Sequence, residues 1–170
     1  MRNFKLVTMV AICATAFPFA ACSDDDKDIR PSAVPEAVKA SMAERFPSVK
    51  MIDWERVSSY YVADFVYKTF DTEAWFRHDG AWAMTETDYN GNISFLPQLM
   101  QDAFNNSQYA TWTVDDVDYY QREADTFCAI DVEAPGQGEM TLYIDNMGRV
   151  VNVTPDVDAD IYPETPVESL

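Results

Sequence analysis

Apolar residues recur at helical spacing in two places along this chain. The apolar stripes are formed by Val34, Val38, Met42 and Phe46, and then by Leu96, Met100 and Phe104. A spacing of four residues puts such side chains on one side of a helix. Pro35 and Pro97 open the two patterns, and proline suits a first helical turn because its missing N–H has no partner to lose there. The sequence therefore predicts two short amphipathic helices.

Alternation of polar and apolar residues, the period of a β-strand, follows each predicted helix. Asp79-Gly80 separates two alternating runs, and this step predicts a tight hairpin because glycine tolerates the positive φ that such a turn requires. Asn146-Met147-Gly148 holds the corresponding position later in the chain. The predicted strands cover 49–57, 60–69, 73–78 and 81–87 in the first half, and 111–120, 123–133, 140–145 and 149–154 in the second.

The order of these elements is repeated. We assign one helix and four strands to repeat 1, residues 34–89, and the same set to repeat 2, residues 96–155. Each unit is too small to bury both of its faces alone. We therefore expect an α+β fold in which tandem α-β-β-β-β repeats form one antiparallel sheet with two helices packed on one face.

The first residues, 1–21, have the features of a lipoprotein signal peptide. Arg2 and Lys5 precede an uncharged, mostly apolar stretch that is too short to span roughly 30 Å of hydrocarbon as a helix. Two alanines then precede Cys22, an ending that resembles the lipobox of bacterial lipoproteins. The resemblance implies that Cys22 carries the lipid. A buried N-terminal helix is the alternative.

Charged segments flank the predicted domain, which spans residues 34–155. Residues 22–33 begin with a strongly acidic run that cannot be buried, so we interpret them as an acidic tether after the lipidated cysteine. The run resembles the acidic export signal of Bacteroidetes lipoproteins, which implies an outer-membrane lipoprotein at the cell surface rather than at the periplasmic face. A plain linker is the alternative. Residues 156–170 contain acids and no base, and we expect a disordered acidic tail.

Net charge and residue types exclude several functions. The formal net charge is −17, which would repel a nucleic-acid backbone and favours a basic partner. His78, the only histidine, abuts the predicted turn and has the features of a surface residue. Cys128 lies in an alternating strand and is interpreted as a small buried hydrophobe. We therefore expect no catalytic residues and no enzyme activity.

Side chains with oxygen atoms, the ligands that calcium prefers, are abundant in this sequence. Asp88, Asn90 and Asn92 resemble part of an EF-hand loop, but Gly91 stands at its fourth position rather than its sixth. We interpret the segment as the loop that joins the repeats. The expectation is no cofactor, with a calcium site at these three residues as the alternative.

A family resemblance rests on a series of short motifs. These are Val34-Pro35, Arg45-Phe46-Pro47, Trp54-Glu55, Tyr61 to Phe65, Ala74-Trp75-Phe76, Asp79 to Trp82, and Leu96-Pro97. Together they resemble the PepSY-like, β-lactamase-inhibitor-like lipoproteins of Bacteroidetes over residues 34–154. The resemblance implies tandem α-β4 units in one sheet, and a module that binds or inhibits proteins. Some members of this family are described as calcium-regulated.

Aromatic residues provide the candidate binding surface. Strand alternation puts Tyr60, Trp75 and Arg77 on the sheet face without helices, and Trp54 and Trp82 are assigned to the same face. Tryptophan, tyrosine and arginine are enriched at interface hot spots. We hypothesise a monomeric, non-enzymatic envelope lipoprotein that meets the membrane through its lipid alone. It would bind a protein or peptide on this open aromatic face, with inhibition as one mode. Surface glycan binding is the alternative function, and an aromatic core is the alternative interpretation of these residues.

Overall fold

A computed structural model describes residues 27–155 and 161–170. The predicted signal peptide, 1–21, and the lipid-attachment residue Cys22 lie outside the described residues. Within those two ranges, the helices are too short or too polar to cross a membrane.

The fold is a nine-stranded antiparallel sheet in which the strands follow one another in sequence order. The strands are β1 (Lys27–Asp28), β2 (Asp53–Val57), β3 (Tyr60–Tyr67), β4 (Phe70–Phe76), β5 (Trp82–Asp88), β6 (Thr113–Arg122), β7 (Thr126–Ala134), β8 (Gly138–Asp145) and β9 (Val150–Pro155). The α-helices are α1 (Glu36–Arg45) and α2 (Gln98–Asn105). Every strand except the two-residue β1 corresponds to a predicted one, and the predicted fold class is confirmed.

Both helices pack on the same face of the sheet, which we call the helix face. The apolar stripe of α1 contacts side chains from β2 to β4, including Trp54, Phe65 and Phe76. The stripe of α2 contacts β6 to β8, including Cys128 and Ile144. Strand pairing places the two clusters on one continuous surface, because the row that begins at Phe65 crosses the sheet to Cys128. The helix face therefore carries two apolar clusters on one continuous sheet surface, with one helix over each cluster.

A glycine turn holds each helix close to the sheet. Gly80 and Gly148 have φ of 87° and 73°, conformations that side chains rarely adopt. A Cβ at Gly80 would lie 2.6 Å from the Ala37 carbonyl oxygen, and one at Gly148 would lie 2.8 Å from that of Leu99. Each half therefore uses a glycine where its last hairpin meets its own helix.

The segment before α1 differs from the prediction. Lys27–Asp28 pairs with β2, and the Ile29 N–H donates a hydrogen bond to the Trp54 carbonyl at 2.8 Å. Ile29 also packs against the α1 cluster. The predicted tether is therefore wrong for residues 27–33, because pairing with an edge strand requires backbone groups rather than apolar side chains.

The C-terminus also differs from the prediction. Residues 161–170, which we call the C-terminal segment, pack on the sheet face opposite the helices and end in a 3-10 turn at Val167–Ser169. Ile161 and Val167 retain only 8% and 7% of their exposure. The predicted disorder is wrong for this segment, because its few apolar side chains find a complementary surface. Residues 156–160 lie outside the described range.

Candidate functional site

The sheet face opposite the helices has two chemically different halves. The aromatic cradle consists of Tyr60, Trp75, Met84, Tyr120 and Phe127. The acidic face consists of Asp53, Asp64, Asp71, Glu73, Glu86, Asp88, Asp116, Asp118 and Asp131, which strand alternation and register place on the same side of the sheet. Both halves take residues from the two repeats.

The acidic face contains a row of carboxylates on neighbouring strands. Asp53 is the register partner of Asp64, Asp64 is that of Glu73, and Glu73 is that of Glu86. Asp53 and Asp64 are exposed, whereas the two glutamates are half-buried. Like charges directly across a strand pair are destabilising. Like charges therefore oppose one another along this row, while Glu73 also accepts a hydrogen bond from Trp75 Nε1 at 3.2 Å.

Next to this row, three aspartates converge. Carboxylate oxygens of Asp88, Asp116 and Asp118 lie within 4.8 Å of one another. Burial and then the nearby charge of Glu86 raise the pKa of Asp118 to about 9. Burial likewise raises the pKa of Asp116, and burial together with neighbouring acids raises that of Asp64. Asp118 therefore keeps a proton at a pH at which an isolated carboxylate would release it.

Asp88, Asn90 and Asn92 are the residues that the sequence offers as an alternative calcium site. The Asn90 backbone N–H donates to the Asp88 carboxylate, which is a local turn contact. The Asn92 side chain accepts from the Ser94 N–H at 3.0 Å and so caps a 3-10 turn. The structure thus brings Asp88 to the aspartates of β6 rather than to Asn92. That three-carboxylate set offers the oxygen donors that calcium prefers.

Tyr60 and Trp75 lie on the predicted face, but they are not open to solvent. Their exposures are 6% and 5%. The Trp75 ring lies edge-on to Tyr60, with centroids 5.8 Å apart, and to Tyr162 of the C-terminal segment, 5.9 Å apart. The expectation of an open aromatic surface is therefore wrong for this pair, because residues 161–170 cover it. Arg77, just beyond β4, is exposed as expected.

Trp54 and Trp82 lie on the helix face, so their assignment to the opposite face is wrong. Trp54 is buried in the α1 cluster. The pairing of β4 with β5 shifts between Trp75 and Phe76, which leaves Trp82 opposite Phe76 on the helix side. The Arg45 guanidinium lies 3.6 Å from the centroid of the Trp82 ring. Alternation alone could not anticipate this change of register.

Arg122 is the functional candidate that sequence reasoning missed. Its side chain is buried at the edge of the cradle, over the Phe127 ring at 4.4 Å. Nε donates to Asp125 at 2.8 Å. Nη1 donates to three carbonyls of the C-terminal segment, those of Tyr162, Pro163 and Thr165, at 3.3, 3.2 and 2.6 Å. The sequence signal that could have identified Arg122 is a basic residue at an inward-facing position of a strand that is otherwise apolar and acidic.

Cysteine and histidine, the residue types that could act as nucleophile and base, lie in environments typical of residues with a structural role. The Cys128 thiol is fully buried in the α2 cluster, and burial raises its pKa to about 12. Such a thiol carries almost no thiolate at neutral pH and is a poor nucleophile. His78 is exposed, with Nδ1 3.3 Å from the Tyr61 hydroxyl. These two residues do not form a nucleophile–base pair, because Cys128 and His78 belong to different halves of the fold.

Comparison with known proteins gives a consistent assignment. Among curated proteins, nothing is significantly similar to this sequence. Of solved structures, a BLIP-like protein from Bacteroides fragilis NCTC 9343 is 30% identical with a TM-score of 0.68, over 77% of this chain and 94% of that chain. A protein described as one of the "putative periplasmic proteins" from Bacteroides eggerthii DSM 20697 is also 30% identical, with a TM-score of 0.64, over 71% and 88% of the two chains. A DUF2874 family protein from Bacteroides uniformis ATCC 8492 is 28% identical, with the same TM-score and coverage.

The family model described as "Putative beta-lactamase-inhibitor-like, PepSY-like" matches residues 22–66 and 59–152. Those ranges contain both helices and nearly all of the sheet. The predicted resemblance is confirmed, and the chain belongs to the PepSY-like, beta-lactamase-inhibitor-like family.

Proposed function

We propose that this chain is a non-enzymatic protein of the cell envelope that binds a protein or peptide partner on the sheet face opposite the helices. The observation that carries the proposal is the acidic row from Asp53 to Glu86, on four neighbouring strands. A regular sheet presents such a row as a flat, rigid surface. Its chemistry fits a basic partner.

Electrostatics explain why a basic partner is favoured. Cross-strand repulsion within the row destabilises the free protein. A partner that supplies lysine or arginine side chains would relieve that repulsion and lower the raised pKa of Asp118. The net charge of −17 would also accelerate the approach of a cationic surface. Such association weakens with added salt, because exposed charges are screened.

Envelope location and inhibition are supported by the relatives rather than by the geometry. The Bacteroides eggerthii protein is described as periplasmic, and the family is described as beta-lactamase-inhibitor-like. Within this proposal, lipid attachment at Cys22 would hold the protein at the outer membrane, with the cell surface as the favoured side. Inhibition of the bound partner is one mode of action that the family description suggests.

The residues that could perform catalysis support a non-enzymatic role. Cys128 is a buried thiol whose pKa is raised to about 12, and His78 is an exposed residue beside the Tyr61 ring and hydroxyl. The glycan alternative required open rings on this face for sugar stacking, and the burial of Tyr60 and Trp75 does not support it. Trp54 and Trp75 are buried, and Arg45 covers Trp82.

A charge-matched pair of variants tests the proposal. Glu73→Gln with Glu86→Gln keeps the shape and an acceptor oxygen at each position while removing two charges from the row. Glu44→Gln with Asp102→Asn removes the same charge from exposed positions on α1 and α2. Envelope extract is passed over the three proteins, and the captured partner is then purified and titrated against each.

We expect the row variant to bind the purified partner at least ~10-fold more weakly than the parent, equivalent to about 1.4 kcal/mol. The helix variant should bind like the parent. The dissociation constant of the parent should rise with salt. Equal binding by all three proteins would place the partner elsewhere and contradict the proposal.

A further inference from the structure

The aromatic cradle is occupied by the chain's own C-terminal segment. Ile161 and Val167 are buried against the cradle, and Tyr162 and Leu170 pack at its margin. The segment contributes no strand to the sheet, whose order ends at β9. It therefore lies on the sheet as a ligand lies on a receptor surface, held by side-chain packing and a small set of polar contacts.

Most of these polar contacts are hydrogen bonds to the backbone of the segment. Arg122 Nη1 donates to three of its carbonyls, and the Asn152 side chain donates to the Leu170 carbonyl. A segment side chain also takes part, since the Tyr60 hydroxyl donates to Glu164 at 2.9 Å. Any peptide that presents carbonyls in this arrangement could satisfy Arg122, whatever most of its side chains are.

Proline gives the segment the conformation that the cradle contacts. Pro163 and Pro166 fix φ and carry no N–H, so they present carbonyls without adding donors that would need partners. A preorganised peptide also loses less conformational entropy when it binds, as in the recognition of proline-rich ligands by aromatic grooves. The cradle and the segment therefore match in chemistry, because aromatic rings and a fixed guanidinium meet a proline-containing peptide that buries apolar side chains and presents carbonyls.

A spare donor remains at the site. Arg122 Nη2 is buried and has no hydrogen-bond partner within residues 27–155 and 161–170. An unsatisfied buried donor costs about 1–3 kcal/mol. A peptide that supplies a further carbonyl or a carboxylate at this nitrogen would bind with an advantage over the segment.

We propose that the aromatic cradle is a peptide-binding groove, which the C-terminal segment occupies as an intramolecular ligand. Its partner is an apolar, proline-containing peptide that displaces the segment and takes its carbonyl contacts to Arg122. This groove and the acidic face are separate halves of the same sheet surface, so the inference goes beyond the basic partner and does not depend on it.

Because the segment is covalently joined to the groove, it determines how tightly a free peptide must bind in order to displace it. A segment joined by a short linker has an effective concentration in the millimolar range. A competing peptide therefore binds the parent protein more weakly than it would bind an empty groove. Weakening the segment should reveal the intrinsic affinity of the groove.

The experiment uses the full chain and a defined probe. The opened variant carries Ile161→Asp and Val167→Asp, which remove the two buried side chains of the segment. The probe is a fluorescein-labelled peptide with the sequence of residues 161–170, and the control peptide has aspartate at both of those positions. Binding is followed by fluorescence polarisation, and folding is followed by circular dichroism.

We expect the opened variant to bind the probe at least ~10-fold more tightly than the parent does. The control peptide should not bind, and Arg122→Met in the opened variant should weaken binding by ~10-fold or more, equivalent to about 1.4 kcal/mol. A folded opened variant that ignores the probe up to ~1 mM would overturn the proposal. A dimer detected by light scattering would indicate that the groove binds a second copy of the chain, and this result would also contradict the proposal.

Hydrogen exchange on the parent covers the case in which the opened variant does not fold. The Thr165 and Ser169 amides are hydrogen-bonded within the segment, to Tyr162 and Pro166. A displaceable segment should lose their protection at least ~100-fold faster than the β7 amides of the core, through local opening. Exchange of both sets at one common rate would show that the segment leaves only when the whole protein unfolds, and the proposal would fail.

Discussion

The two faces of the sheet differ in what covers them. Each half of the helix face is covered by a helix close in sequence, and a cluster of buried apolar side chains lies beneath each helix. The opposite face is covered over one half by the distant C-terminal segment and exposes carboxylates over the other. The helix face repeats between the two halves of the chain, whereas the opposite face does not. This contrast agrees with a helix face that stabilises the fold and with our proposal that the opposite face binds partners.

Polar groups sharpen this contrast. On the helix face, apolar packing and two glycine contacts bind helix to sheet. On the opposite face, Asp118 has a pKa raised to about 9 and Arg122 Nη2 has no partner within the described ranges. Groups of this kind lower stability, and they persist where a function depends on them. Four sets of substitutions can test the division, in order of decreasing effect.

Truncation of the helix-face core should have the largest effect. Phe76 is 0% exposed, so Phe76→Ala should lower the free energy of unfolding by about 3–5 kcal/mol, through lost burial and the cavity left behind. Urea unfolding measures it. The control is Val66→Ala on the opposite face, where 63% exposure predicts a change within about 0.5 kcal/mol. Similar losses from both would erase the distinction between the faces.

Glycine contacts should come next and should be alike in both halves. Gly80→Ala and Gly148→Ala each place a Cβ against a helix carbonyl, and each should cost about 1–3 kcal/mol. Gly136→Ala is the control, because it also has positive φ but meets nothing within 4 Å, so only the backbone contribution remains. Thermal unfolding of the three variants compares them. If Gly136→Ala were as costly as the others, helix contact would not be the cause.

Loosening the C-terminal segment should have a smaller effect. Val167→Ala removes two methyl groups from a site that is 7% exposed, which predicts a loss of about 1–2 kcal/mol. Intrinsic fluorescence should shift to the red as Trp75 gains contact with water. Glu168→Ala, at an exposed neighbouring position, is the control. A loss as large as that of Phe76→Ala would make the segment an integral part of the core.

The acidic face should respond to pH. The folded-state pKa of Asp118 is raised to about 9 from an ordinary 3.8, so the folded state keeps a proton that the unfolded state has lost between these values. Stability from this group is therefore complete below the unfolded pKa and declines as pH rises towards the folded one. Asp118→Asn should flatten that decline.

Thermal melts at pH 5, 7 and 9 would show the difference, with the variant about 1 kcal/mol more stable than the parent at the highest pH. Asp102→Asn, at an exposed position on α2, should follow the parent at every pH. An unchanged slope in Asp118→Asn would mean that another group carries the pH dependence.

Local patterns were sufficient for most of the architecture. The apolar stripes placed α1 and α2, and strand alternation correctly put Tyr60 and Trp75 on the side away from the helices. Helix period, strand period and glycine turns depend on neighbouring residues, so a single sequence carries them. The same reasoning failed at Trp82, because a register shift in the pairing of β4 with β5 puts Trp82 and Met84, two residues apart, on opposite faces of the sheet.

The sequence by itself determined a tandem α-β4 fold, a helix-face core and a strongly acidic protein. Only the tertiary structure decided which acids meet, since Asp53 and Glu86 become members of one row through strand register. It also decided that residues 161–170 cover Trp75 and present their carbonyls to Arg122. These outcomes depend on contacts between residues far apart in the chain, whose free energies no local pattern encodes.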